Sequence, residues 1–255
     1  WNIEPNGTIG RIGSTMVNSG LALSIDEEAF AGLQPMMTRD GKEFVIPGRP
    51  FPSYPGLQVQ RRIQLLEEEG ILRYAEMLYN GSTDPMTVTL SLHTNFSGNY
   101  QTFLTNRGRT EPVLLQEGEN GLVVLPGVAQ STRAFLFTLC GKDSVTKPSI
   151  SAQNRYGLDF QYPLTLAPGE TRIVLHQDSQ VIIPRNFDRP TLIKLFRPYS
   201  FEETSKRVDR APHQYQRRHF SLFPVSGGCL WIGFAWERAR DTRRACSGRK
   251  DAPAR

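Results

Sequence analysis

The chain has 255 residues, of which 38% are hydrophobic and 22% charged. That composition can bury a core without staples and excludes a disordered chain. Three cysteines, Cys140, Cys229 and Cys246, exclude a dense disulfide framework. The net charge of +5 is unevenly placed: residues 1–204 carry 18 Lys/Arg against 21 Asp/Glu, and residues 205–255 carry 12 against 4.

Near the start, Gly7, Gly10 and Gly13 are spaced by threes. That is not a dinucleotide-binding fingerprint, and these positions read as turn glycines. Residues 1–25 lack the basic stretch and apolar run of a signal peptide. Leu57, Val59, Arg61 and Ile63 then share one parity against Gln58, Gln60, Arg62 and Gln64, which predicts a half-buried strand. A mixed run from Ile71 to Tyr79 follows the acidic turn Glu67-Glu68-Glu69. Residues 80–85 form a connection rich in turn residues. From Met86 to Thr94 the alternation is clean, with Val88, Leu90 and Leu92 inward.

Further strands are predicted over Gly121–Leu125, closed by Pro126-Gly127, and over Ala134–Leu139. Leu158, Phe160, Tyr162, Leu164 and Leu166 keep one parity up to Ala167-Pro168-Gly169-Glu170, which has the form of a type II turn. Ile173 and Leu175 read as the apolar set of the next strand, and Val181–Ile183 as a separate short run. Late in the chain, Asp188 can cap a short helix over Thr191–Phe196, and Ser200 with Glu203 suits a capping box for a helix near 201–208. The predicted fold is all-β: a large antiparallel two-sheet β-sandwich, supersandwich-like, with short C-terminal helices and an irregular basic tail. The domain division is 1–204 for the sandwich and 205–255 for a loosely attached tail.

Catalytic templates fail. The chain has no Gly-x-Ser-x-Gly elbow, no His-Glu-x-x-His pair and no phosphate loop. No metal-ligand spacing links the cysteines and histidines, and no cofactor is expected. The longest uncharged run, Phe220–Trp236, has 17 residues. It is interrupted by Pro224, Gly227 and Gly228 and is short of the roughly 20 that span a membrane, so no anchor is expected. Sequons stand at Asn6, Asn80 and Asn95. His93 and His176 lie on strands at the parity opposite the apolar set, which reads as surface; the alternative is that they line a concave sheet face. After the Val88 strand, His93, Asn95, Asn99, Tyr100, Gln101, Asn106, Arg107 and Arg109 crowd what reads as a loop, as in sandwiches that bind ligands on loops. The candidate ligand-binding residues are His93, Asn95, Tyr100, Arg107 and His176.

Residues 1 to about 204 resemble a β-sandwich domain of unknown function found in extracytoplasmic proteins of planctomycete- and verrucomicrobial-type bacteria. The matching stretches are residues 1–7, 40–43, 57–63, 73–76 and 166–171. Their order is also similar to the supersandwich of mutarotase-like carbohydrate-active proteins. The resemblance implies a two-sheet sandwich in a periplasmic or secreted setting and transfers no catalytic set. The first expectation is a non-catalytic module for binding or assembly, with carbohydrate or another envelope protein as partner and no specific nucleic acid. An alternative is a mutarotase-like or lyase-like enzyme, which needs His93 or His176 beside Glu76 or Glu170 on one concave face. A further alternative is polyanion binding by the basic tail, with affinity falling steeply in salt.

Overall fold

The computed structural model describes residues 2–10, 17–67, 69–127, 133–141, 144, 146–183 and 188–194. The division near residue 204, the helix near 201–208, the basic tail, Cys229 and Cys246 lie outside the described residues. In chain order the elements are β1 (Val17–Ile25), β2 (Glu28–Ala29), β3 (Met36–Met37), β4 (Glu43–Pro47), β5 (Leu57–Leu66), β6 (Ile71–Asn80) and β7 (Met86–Phe96). They continue with β8 (Tyr100–Thr105), β9 (Gly121–Pro126), β10 (Arg133–Thr138), β11 (Ser149–Gln153), β12 (Gly157–Leu166), β13 (Thr171–Ile182) and α1 (Arg189–Lys194). Asp188 caps α1, its carboxylate accepting the Thr191 N–H at 2.8 Å. No helix among the described residues is long and apolar enough to cross a membrane.

Two antiparallel sheets form the sandwich. A five-stranded sheet runs β11-β12-β7-β1-β2, and an eight-stranded sheet runs β3-β4-β5-β6-β13-β10-β9-β8. Their inner faces meet in one apolar core. Leu90, Leu92, Leu158, Phe160 and Leu166 come from the smaller sheet, and Val59, Ile63, Leu78, Leu122 and Phe137 from the larger. A second apolar cluster, built from Leu104, Val123, Leu136 and Val181, lies on the larger sheet and includes Ile183 and Leu192 of α1. The turn at 167–170 is closed by the Glu170 N–H donating to the Ala167 carbonyl at 3.0 Å, with Gly169 at φ 72° as a type II turn requires.

Three expectations need correction. The last strand is one element, Thr171–Ile182, and its core-facing set is Val174 and His176, not Ile173 and Leu175. Ile173 is 57% exposed, whereas Val174 and His176 are buried. The register explains this: Val174 lies opposite Glu76 and His176 opposite Tyr74, both inward positions of β6. The crowded stretch after β7 is not one loop either, because Tyr100–Thr105 is a strand of the larger sheet. Finally, β1 to β4 and β11 escaped the alternation pattern. In β1 the register shifts between Val17 and Ala22, which breaks the period of two.

Candidate functional site

Polar side chains gather in two places, one sealed and one open. The sealed group lies between the sheets. Arg61 and Glu76 face each other across β5 and β6, and both are fully buried. The guanidinium donates from Nε at 3.0 Å and from Nη2 at 2.8 Å to Glu76 Oε1. His176 Nε2 stands 3.0 Å from the same oxygen, and its ring stacks on Tyr74 with centroids 4.9 Å apart. Tyr74 in turn donates to the Gly7 carbonyl at 3.2 Å and lies under the Arg61 guanidinium. Gly7 permits this approach: at φ 80°, a Cβ there would lie 2.6 Å from Arg61 Cδ.

Burial pushes the Glu76 carboxyl up, but the adjacent Arg61 charge and the hydrogen bonds from His176 and Arg61 outweigh it and hold the group below its ordinary range. Burial pushes the His176 imidazole down, and Glu76 only partly restores it. His176 is 1% exposed, so the surface reading of this residue is corrected. The His176–Glu76 pair that the catalytic alternative needs does form, but inside the core, where no substrate reaches it. Glu170 closes its own turn, accepting the Ala167 N–H at 2.8 Å and pairing with Arg172 at 2.7 Å.

The open group is on the outer face of the five-stranded sheet. In β7, Val88, Leu90, Leu92, Thr94 and Phe96 turn to the core, so Thr87, Thr89, Ser91, His93 and Asn95 turn outward. The register sets His93 opposite Asp159 of β12, and Asp159 opposite Ser151 of β11. The flanking rows are Ser91–Gln161–Ser149 and Asn95–Gly157–Gln153. Asp159 binds His93 Nδ1, accepts from Gln153 Nε2, and accepts from Ser151 Oγ at 3.3 Å. With Nδ1 held by the carboxylate, Nε2 of His93 remains for a ligand. Tyr156, 53% exposed, sits in the β11–β12 turn at the Asn95 end, where its carbonyl accepts the Phe96 N–H at 2.7 Å. Sequence parity turned His93 outward, whereas Asn95 was read as part of a loop and belongs to β7 on this face. Asp159, Ser151, Gln153 and Tyr156 went unseen, because only the strand order brings them there.

The other candidates are elsewhere. Tyr100 is 3% exposed and packs edge-on against Phe96 and Phe103, so it is a core residue and not a ligand contact. Arg107 belongs to the β8–β9 loop, where its Nε donates to the Gly118 carbonyl at 3.4 Å. That loop is organised by Glu119, which accepts from Thr105 Oγ1 at 2.7 Å, Arg109 Nε at 3.1 Å and the Gln116 N–H at 2.8 Å. Burial raises this carboxyl, yet those donors outweigh it and lower it to about 2. Cys140 is a buried thiol, pushed up to about 11 by burial. No cluster of metal-ligating side chains occurs among the described residues.

No protein-family profile matches the chain, and no characterised protein matches its sequence. Solved structures do match its strand arrangement. A putative kojibiose phosphorylase from the human microbiome is 12% identical, with 75% of this chain and 26% of that one covered and a TM-score of 0.46. A putative aldose 1-epimerase from Escherichia coli K12 is 9% identical, with 61% and 69% covered and a TM-score of 0.41. A galactose mutarotase-like protein from Lactobacillus casei is 7% identical, with 60% and 74% covered and a TM-score of 0.41. The chain spans only 26% of the phosphorylase and 31% of an alpha-galactosidase from Geobacillus stearothermophilus. None of these matches gives a residue of this chain a chemical role.

Proposed function

We propose that the sandwich is a non-catalytic module that binds carbohydrate on the outer face of its five-stranded sheet. The observation that carries this reading is the group His93, Asp159, Gln153 and Asn95, held on adjacent strands, with the exposed Tyr156 in the turn at the Asn95 end. A sugar offers hydroxyls along its rim and C–H groups on its faces. It is met by imidazole, carboxylate and carboxamide groups around an aromatic surface, placed on a rigid scaffold. The extracytoplasmic setting rests on the resemblance of residues 1–204, and fractionation of expressing cells tests it.

The test of binding is a glycan-array screen followed by amide chemical-shift mapping with the best soluble hit. The expected shifts centre on 91–95 and 151–161, and His93→Ala and Tyr156→Ala each weaken binding. Shifts confined to the other sheet, or undiminished binding by both variants, would defeat the proposal.

A further inference from the structure

The outer face of the eight-stranded sheet, turned away from the core, changes character along β13. Its outward residues begin exposed with Thr171 and Ile173, pass through the half-buried Leu175, and end buried with Gln177, Ser179 and Val181. The register carries the sealed region sideways. Ser179 lies between Ile71 of β6 and Leu136 of β10, Leu136 faces Val123 of β9, and Val123 faces Leu104 of β8. All four neighbours are buried as well. The outward face of a two-layer sandwich meets water and is polar unless something lies on it.

Among the described residues, Ile183 and Leu192 are the side chains from outside the sheet that join the apolar cluster on this face. They are too little to seal it. The region crosses β6, β13, β10, β9 and β8, which at roughly 4.8 Å per strand is about 19 Å. The helix α1 has six residues and is about 9 Å long. In the middle of the region, Ser179 Oγ is buried without a hydrogen-bond partner, so whatever covers it offers no polar group there.

Leu192 puts α1 on this face, and the chain leaves Lys194 from there. The next residues are Leu195-Phe196-Arg197-Pro198-Tyr199-Ser200-Phe201, in which four of seven side chains are large and apolar or aromatic. Pro198 cannot continue the helix and biases the residue before it to an extended backbone. Seven extended residues reach about 23 Å, enough to cross the region. Other stretches outside the described residues fit less well. Residues 128–132 are Val-Ala-Gln-Ser-Thr, residues 184–187 hold one aromatic ring, Phe187, and residues 205–218 hold five Lys/Arg.

We infer that the sealed outer face of β13, β10 and β9 is the docking surface for residues 195–201 of the same chain, which form a third layer on the sandwich. The experiment uses the full chain. Phe196→Ala, Phe201→Ala, Leu136→Ala and the double variant Phe196→Ala/Leu136→Ala are compared with wild type by amide chemical-shift mapping and thermal melting. The expected shifts in both aromatic variants centre on 134–136 and 177–181 and leave 91–95 unmoved. Each aromatic variant lowers Tm by about 5 °C or more, and the double variant loses less than the sum of its two singles, as touching side chains do. Where an alanine variant does not fold, Phe196→Leu and Phe201→Leu give the same shift map.

Shifts that miss 134–136 and 177–181 in both aromatic variants overturn the inference, and so do additive losses in the double variant. A wild-type dimer in sedimentation that Ser179→Arg disperses would give the cover to a second copy of the chain, and overturns it too. Carbohydrate binding on the other sheet stands or falls separately from all of these outcomes.

Discussion

Arg61 Nη2 donates to the carbonyl of Leu21 at 2.7 Å, joining the eight-stranded sheet to a strand of the facing one. Leu21 sits at φ 55° where β1 shifts register, so its peptide groups leave the ladder. Arg61 takes up the carbonyl, and Thr94 Oγ1 accepts the N–H at 3.1 Å. Next to this irregularity, Gly20 pairs with Ile9, which brings the N-terminal segment into the core. The buried charge therefore serves a bulge, and Glu76 serves the buried charge.

It follows that Arg61→Met and Glu76→Leu should each cost about 3–5 kcal/mol, because each strands the partner's charge in the core. The double replacement should cost much less than the sum, because the hydrophobic pair leaves no stranded ion. Urea unfolding of the two single variants and the double variant checks this; additive losses would show that the pair is not the unit.

The same network should make the sandwich acid-sensitive in two stages. His176 has a folded value below its ordinary 6.5, so between the two values the unfolded state binds the extra proton. Stability therefore falls as pH drops below 6.5. Glu76, held below 4.5, contributes stability that is present above that value and lost as pH falls through its lowered one. His176→Gln should remove the first stage and leave the second, as read by unfolding midpoints across the acid range.

Leu90 and Leu164 belong to neighbouring strands of the smaller sheet and face the core, with Leu90 fully buried. Leu90→Asp should abolish folding, since burying an unpaired carboxylate costs more than the few kcal/mol a domain holds in reserve. Thr89→Asp, one residue away and outward, should melt close to wild type. Equal melting of the two variants would mean that the inward parity of β7 is misassigned.

That parity was legible in the sequence because β7 and β12 have one face in the core and one in water. Val88, Leu90 and Leu92 therefore alternate with Thr, Ser and His, and His93 could be placed on the outer face. In β13 the same logic inverted. Its inward positions include His176 and Asp178, and its outward ones include Ile173, so apolarity misled about the facing. Arg61 already stood in the inward set of β5, but nothing local said that a guanidinium there would meet Glu76 and Leu21. That meeting depends on strand order and on a bulge. The Asp159, Ser151 and Gln153 part of the outer site depends likewise on β11 lying beside β12 and β12 beside β7. Spacing along the chain carries no trace of it.

Asp178 is a buried acid that stands outside that network. It lies two residues beyond His176, opposite Leu72 and Phe137, it is 1% exposed, and no side chain bonds its carboxyl, whose burial the Ser179 backbone N–H offsets only in part. Burial pushes its carboxyl well above the ordinary 3.8. Above 3.8 the unfolded chain gives up this proton while the folded one keeps it, so the native state binds more protons and stability declines as pH rises. Asp178→Asn removes that slope, and Asp178→Val also removes the unpaired polar atoms. Both should be more stable than wild type near neutral pH, with the valine variant gaining about 1–3 kcal/mol. The advantage should shrink as pH falls below 3.8, where the carboxyl is neutral in either state. Thermal melts of the three proteins across that range decide the matter; destabilisation by both replacements would mean that the carboxyl is held by the fold instead of stranded in it.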